Sequence, residues 1–393
     1  MIYFDNNATT PLDATVLDKM MPYLREQYGN PASRSHAMGW VADEAVTIAR
    51  EQIASAINAE PKEIIFTSGA TESVNLAIKG VFEAYNSKGQ HVITVKTEHK
   101  AVLDTCDWVS RRGGEVTLLD VDKEGRVDIE ALEEAIRPDT ILVSIMWANN
   151  ETGCIQDMAA IGQICRSAGV LLFSDATQAL TKTPIDVQSS RIDILAFSGH
   201  KVYGPKGIGG LYVRSKSPRV RLMPLIDGGG HERGMRSGTL NVPGIVGLGA
   251  AVELGVSLIH KESSRLEALR DRLEFRLLHE IEDCVLNTTA HRMPHVINIR
   301  FLHVDGEALM LTFNQKLAVA SGSACTSASI EPSHVLMASG LTEDEAHSSI
   351  RISLGRYTSE NEIEEAFHII QQGVQKLRSE SPIWKMYKSG QLT

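Results

Sequence analysis

Cysteine is scarce and unpaired in this chain: five residues, Cys106, Cys154, Cys165, Cys284 and Cys325, with no CxxC spacing among them. An odd set without close pairs argues against both a disulfide framework and a structural zinc site, so no metal is expected. Any cysteine that matters should act as a thiol. No uninterrupted apolar run approaches the roughly 18 residues of a membrane span, and the opening MIYFDNNATT carries neither a basic nor an apolar leader. A cytoplasmic protein with no membrane partner is expected. Basic charge is lacking too, with 39 Lys and Arg against 49 Asp and Glu for a net charge of −10. That removes the electrostatic footprint of a direct nucleic-acid binder and leaves small molecules and proteins as partners. Internal repeats and low-complexity tracts are also missing.

What is present is 393 residues, 43% of them hydrophobic, which is enough chain for two domains. Between about residues 60 and 215, seven short apolar runs alternate with amphipathic helical stretches: EIIFT, HVITV, VTLLDV, TILVSIMW, VLLFSD, DILAFS and IGGLYV. That alternation predicts an α/β fold with a mostly parallel seven-stranded sheet covered by helices on both faces. Around Leu266, Leu269, Leu273, Leu277 and Ile281 the apolar period becomes helical, and polar residues with Pro294 break it near 284–294. Beyond the break HVINIRF, KLAVAS and SIRISL predict strands, with helices around 305–315, 332–339 and 360–378, as in a smaller α+β unit. The expected division is 16–261 for the large domain, and 1–15 with 262–393 for a small domain carrying the segment around Cys325.

Five of the predicted strand ends carry candidate chemistry. After EIIFT come Ser68-Gly69-Ala70-Thr71-Glu72-Ser73 and a helix, whose exposed N–H groups and dipole suit a phosphate, although Thr71 would serve equally as an ordinary N-cap. His99 follows HVITV and can stack on a planar ring or be a plain loop residue. Asn149 and Asn150 follow TILVSIMW, where Asn-Asn is also good turn chemistry. Asp175 ends VLLFSD, with Gln178 one turn on; a carboxylate there points into the ligand crevice of a doubly wound sheet and can hold a protonated pyridine nitrogen, or cap a helix. DILAFS runs into Ser198-Gly199-His200-Lys201, where a lysine fixed just past a strand is placed to form a Schiff base, the anchoring chemistry of pyridoxal 5'-phosphate. Lys206, in a Pro-Lys-Gly turn, competes with it. The five features occur in one order along one predicted sheet edge, and their joint occurrence favours the cofactor over the separate bland readings.

The set resembles the NifS/IscS class of cysteine desulfurases, a branch of the aspartate-aminotransferase fold, pyridoxal-phosphate fold type I. The similarity runs over nearly the whole chain, through YFDNNATTPLD, YGNPASRSHAMGW, FTSGATES, TEHKAV, NNETG, DATQA, SGHKVYGPKGIGGLYV, GGGHERGMRSGT, SGSACTSASIEPSHVL and SIRISLGRYT. The resemblance implies that Lys201 anchors the cofactor, Asp175 partners the pyridine nitrogen, and His99 stacks on the ring and takes part in proton transfer. It further implies that Gln178 bonds the phenolic oxygen and that Ala70, Thr71, Ser198 and His200 hold the phosphate. Thr239 would reach the phosphate of a neighbouring subunit, which means a homodimer with composite sites. Asn150 and Arg351 would hold the substrate carboxylate, a bidentate task suited to guanidinium. Cys325, the only cysteine in a run of small polar residues, would take the sulfur of L-cysteine as a persulfide, leave L-alanine, and pass the sulfur to an iron–sulfur scaffold protein or another acceptor. Trp147-Ala148 is more like the nitrogen-fixation branch, and the C-terminal tail after SPIWKMYKSGQLT is shorter than the one that often helps scaffold docking. Transamination or selenocysteine lysis is compatible with the cofactor residues alone, and a silent sulfur-transfer scaffold on this fold is a rival of another class; Cys325 speaks against the first two and the intact Lys201 against the third.

Overall fold

The computed structural model describes residues 1–289, 291–321 and 331–391. Its strands are β1 (Ile2–Tyr3), β2 (Ile64–Thr67), β3 (His91–Val95), β4 (Glu115–Leu119), β5 (Thr140–Ser144), β6 (Leu171–Asp175), β7 (Ile194–Ser198), β8 (Gly209–Val213), β9 (Cys284–Leu286), β10 (Val296–Phe301), β11 (Leu317–Ala318), β12 (Ala320–Ser321) and β13 (Ser349–Ser353). The seven predicted central strands form one sheet in the order β2-β8-β7-β6-β5-β3-β4. Only β8 runs antiparallel to its neighbours. Successive side chains alternate faces, and both faces are apolar because helices cover both. Ile64, Phe66, Ile93, Val95, Val143 and Leu172 enter one core with the helix Ala37–Ala56, while Ile65, Val92, Leu142 and Phe173 enter another with the helices Ala70–Tyr85 and Lys100–Arg111.

A third core gathers Ile2, Phe4, Leu269, Leu273, Ile297, Ile299, Phe301, Ile352 and Phe367 around an antiparallel sheet, β12-β13-β10-β9, and the parallel pair β1-β11. The predicted strand KLAVAS is therefore two short strands serving different sheets, and the break expected near 284–294 contains the edge strand β9. Periodicity could show neither, since both follow from pairing partners distant in sequence.

The helix seen in part from Leu266 onward spans Val242–Glu280. Its first turns carry glycines that depress helix propensity, which is why the pattern misses them. Packing explains their presence: a Cβ at Gly247 would lie 2.6 Å from Met20 Sδ, and one at Gly249 would lie 2.7 Å from Ala49 Cα. Those glycines let the helices Ala14–Arg25 and Ala37–Ala56 approach closely. By length and composition this is also the one helix among the described residues apolar enough to cross a membrane, and much of that surface is buried inside the fold. It passes residue 261 unbroken, joining the first core through Ile245, Leu248 and Val252 and the third from Leu266 onward. We propose the boundary between 261 and 262 as the division between these two packing sets.

Candidate active site

The C-terminal ends of β2, β3, β5, β6 and β7 open on one cleft of about 550 Å3, the place where open α/β sheets bind ligands. Ala70, Thr71, His99, Asn150, Asp175, Gln178, Ser198, His200, Lys201 and Arg351 all line it, and so does Lys206. Thr239 does not line it and lies exposed elsewhere on the surface. Cys325 falls outside the described residues.

Each side chain is delivered by local structure. Gly69 opens the helix Ala70–Tyr85 with no side-chain cap, so the first N–H groups stay available to an anion. β8 runs directly beneath that turn, and a Cβ at Gly209 would lie 2.6 Å from Gly69 Cα, which makes glycine necessary there. Glu72 accepts from Ser68 N at 2.7 Å and from Arg236 Nε at 2.8 Å. Burial raises its carboxyl, but these hydrogen bonds outweigh burial and hold it below the ordinary value. His99 caps its helix, Nδ1 accepting from Ala101 N at 3.1 Å. Its capping role and its place on the cleft coexist, and the proton of the neutral ring is left on Nε2.

Asp175 is buried at the end of β6, its Oδ1 accepting from Thr177 N at 2.9 Å. Close by, Glu98 is fully enclosed: burial, opposed by a hydrogen bond from Met146 N and reinforced by the charge of Asp175, keeps its carboxyl well above the usual range. Glu98 thus sits in a setting that disfavours its charged form, close to Asp175. Lys201 is half-buried and donates to Asn7 O at 2.5 Å and to Ala8 O at 2.8 Å, whereas Lys206 is exposed on the rim. His200 meets Thr9 Oγ1 at 3.1 Å, and burial, with the charges of Lys201, Lys206 and Lys182, lowers it to about 4, so the ring is neutral at pH 7.

Arg351, on β13, donates to Asn150 O at 2.9 Å and pairs with Asp5 at 2.7 Å. Its Nε and the amide oxygen of Asn150 are buried without partners, an arrangement that favours a ligand supplying both an acceptor and a donor.

The N-terminal stretch Asp5 to Thr10 is the part that sequence reasoning left without roles. Asn7 O accepts from Lys201 and Gln178, and the Asn7 side chain is clamped by Asn150 O and His295. The signal available was the polar run DNNATT ahead of a helix, which by itself reads as a loop.

Glu151, next to Asn150, is buried and accepts from Ser333 Oγ at 2.5 Å. Burial pushes its carboxyl to about 7 despite Ser333 and the charge of Arg351. Between pH 4.5 and about 7 the unfolded chain releases this proton while the folded one holds it, so stability present at low pH is lost across that window, by roughly 3 kcal/mol. Glu151→Gln should remove that slope, as urea unfolding from pH 4.5 to 7.5 would show; parallel profiles for the two proteins would refute the assignment.

Comparison with known proteins agrees with this geometry. The model for class-V aminotransferases matches residues 2–366, and the chain belongs to that family. Cysteine desulfurase IscS of Photorhabdus laumondii is 54% identical over 392 residues, covering 99% of this chain and 96% of that protein. A solved NifS-like protein superposes with a TM-score of 0.88 at 38% identity, covering 94% of this chain and 98% of its own. SspA, solved in complex with cysteine, gives 0.80 at 39% identity, covering 91% and 100%. Within the family, the chain groups with the cysteine desulfurases.

Proposed function

We propose that this protein is a pyridoxal-phosphate-dependent cysteine desulfurase that converts L-cysteine to L-alanine and loads the sulfur on Cys325 as a persulfide. It works as a homodimer in the cytoplasm, with Thr239 completing the partner's phosphate site, and hands sulfur to an iron–sulfur scaffold or another acceptor protein. The observation that carries the reading is the convergence of Lys201, Asp175, Arg351 and an uncapped helix N-terminus on one cleft.

The donor set fits pyridoxal phosphate. The open N–H groups at Ala70 and Thr71, with Ser198 and neutral His200, suit its phosphate. Asp175 suits its pyridine nitrogen, and Lys201 would hold it covalently. When bound, the cofactor supplies an electron sink for the substrate's Cα–H bond. The chain's own residues do the rest. Arg351 and the unpartnered oxygen of Asn150 orient the substrate's carboxylate and amino ends. Lys201 and His99 would move protons at the substrate's Cα and Cβ. The thiolate of Cys325 attacks the substrate sulfur; an S–S bond forms, the S–Cβ bond breaks, and the electron pair left on carbon ends in a C–H bond of alanine. The reaction consumes no external oxidant or reductant.

The four described cysteines are poor rivals for that thiolate. Burial pushes Cys106, Cys154 and Cys165 up to about 12, and Cys284 up to about 11. Cys154 does not line the cleft.

Alanine released from L-cysteine under reductant by protein loaded with pyridoxal phosphate tests the reading; a keto acid product without alanine would make the protein a transaminase. Asp175 would hold the proton on the ring nitrogen, so Asp175→Asn should slow Cα deprotonation by about 100-fold or more at saturating cofactor. Near-normal single-turnover rates in that variant would remove Asp175 from the mechanism.

A further inference from the structure

Gln178 has a neighbour on the side away from the cleft. Lys182 lines a separate small void of about 20 Å3 with His295, Glu262 and Tyr203, and its Nζ donates to Gln178 Oε1 at 3.2 Å. The other end of the same amide, Nε2, donates to Asn7 O at 2.9 Å. An amide's two ends are nearly alike in shape, so only partner chemistry decides which way it faces. In its ammonium form Lys182 can only donate, and Asn7 O at the other end can only accept. Both therefore hold the oxygen of Gln178 toward Lys182 and its NH2 on the side where Asn7 and Lys201 meet, with one of the two hydrogens taken by Asn7 O.

The backbone next to this contact is bent. Thr181, immediately before Lys182, is a β-branched residue at φ +64°, a region such side chains rarely enter. Gly255 accommodates the bend, since a Cβ there would lie 2.5 Å from Thr181 Cβ. Lys182 is half-buried, and no role in the reaction has so far required it. Around it stand Lys201 and Arg351 from the cleft side, with His295 and Glu262 across the void. Burial, then the charges of Lys201 and Arg351, lower its ammonium to about 7, and burial with the Lys182 charge pushes His295 well below its ordinary value.

We propose that Lys182 is a positioning residue that locks the Gln178 amide with its NH2 turned to the cleft, so that the cofactor's phenolic oxygen meets a donor and never an acceptor. The inference rests on the reading that Gln178 faces that oxygen. Wild type, Lys182→Met, Gln178→Ala and the double variant, each loaded with pyridoxal phosphate, would be titrated through pH by the visible band of the bound cofactor. Lys182→Met should move the midpoint in the same direction as Gln178→Ala, changing the titration constant at least threefold. In the Gln178→Ala background, Lys182→Met should add nothing, because the two act through one contact. Lys182→Arg, which keeps a group that only donates, should stay near wild type, and Lys182→Leu replaces the Met variant if that one does not fold. An unchanged midpoint in Lys182→Met, or shifts that add in the double variant, would overturn the lock. If Gln178→Ala itself leaves the band unmoved, the placement of Gln178 fails instead, and a wild type with no band would sink the proposed function.

Discussion

Lys201→Ala is expected to give a folded protein that shows no covalent cofactor band and makes no alanine from cysteine, while Lys206→Ala keeps both. The two lysines lie on the same cleft but in different settings. Lys201 follows β7 directly, is half-buried, and has its Nζ fixed between Asn7 O and Ala8 O. Lys206 is exposed in a turn between Pro205 and Gly207. An amine held in one place at the strand end is positioned for imine formation, whereas one on an exposed turn is not. Losing it removes the covalent anchor and the group that releases product, so no partial activity should survive. Absorbance of the reconstituted variants and an alanine assay decide between them. A band lost in Lys206→Ala and kept in Lys201→Ala would reverse the assignment.

Cys325→Ala should bind pyridoxal phosphate and perturb its band on adding cysteine, yet form no protein persulfide and almost no alanine under reductant. The variant leaves the whole described cleft intact, so binding and Cα chemistry are expected to persist while the S–Cβ bond has no nucleophile to break it. Mass spectrometry of the protein after cysteine treatment, together with alanine release, separates the two halves of the reaction. Substantial sulfur transfer by this variant would require another thiol. Cys154, the alternative expected nearest the crevice, is fully buried with its thiol pushed up to about 12, which makes it a poor nucleophile. Such a result would remove Cys325 from the reaction.

The alternating apolar runs were enough to predict the central strands, because a strand buried on both faces needs an unbroken apolar segment; their order, in which β2 lies apart from β3 and β4 apart from β5, was not legible. Strand ends were legible for the same reason: Thr67, Asp175 and Ser198 are the points where each apolar run stops. Candidate chemistry placed just after those points needed no knowledge of distant contacts. Nine of the proposed site residues consequently line one cleft, where Arg351 joins them from β13 of the antiparallel sheet.

Tertiary structure alone decided what depends on partners far apart in the chain. Residues 5–10 come into the site because β1 pairs with β11, more than 300 positions away, and brings Asp5 to Arg351 and Asn7 to Lys201. Polar residues in a loop have no periodicity to betray such a destination. Glu98 and Glu151 look like ordinary acids in sequence, and only their enclosure raises their carboxyls. The glycine-rich start of the helix Val242–Glu280 reads as non-helical until the neighbours that exclude a Cβ are in place. Local patterning of apolar residues thus determined the sheet and the rim of its cleft, whereas burial and long-range contact determined the charge state and orientation of the groups inside it, since both depend on what surrounds a side chain and not on what adjoins it in sequence.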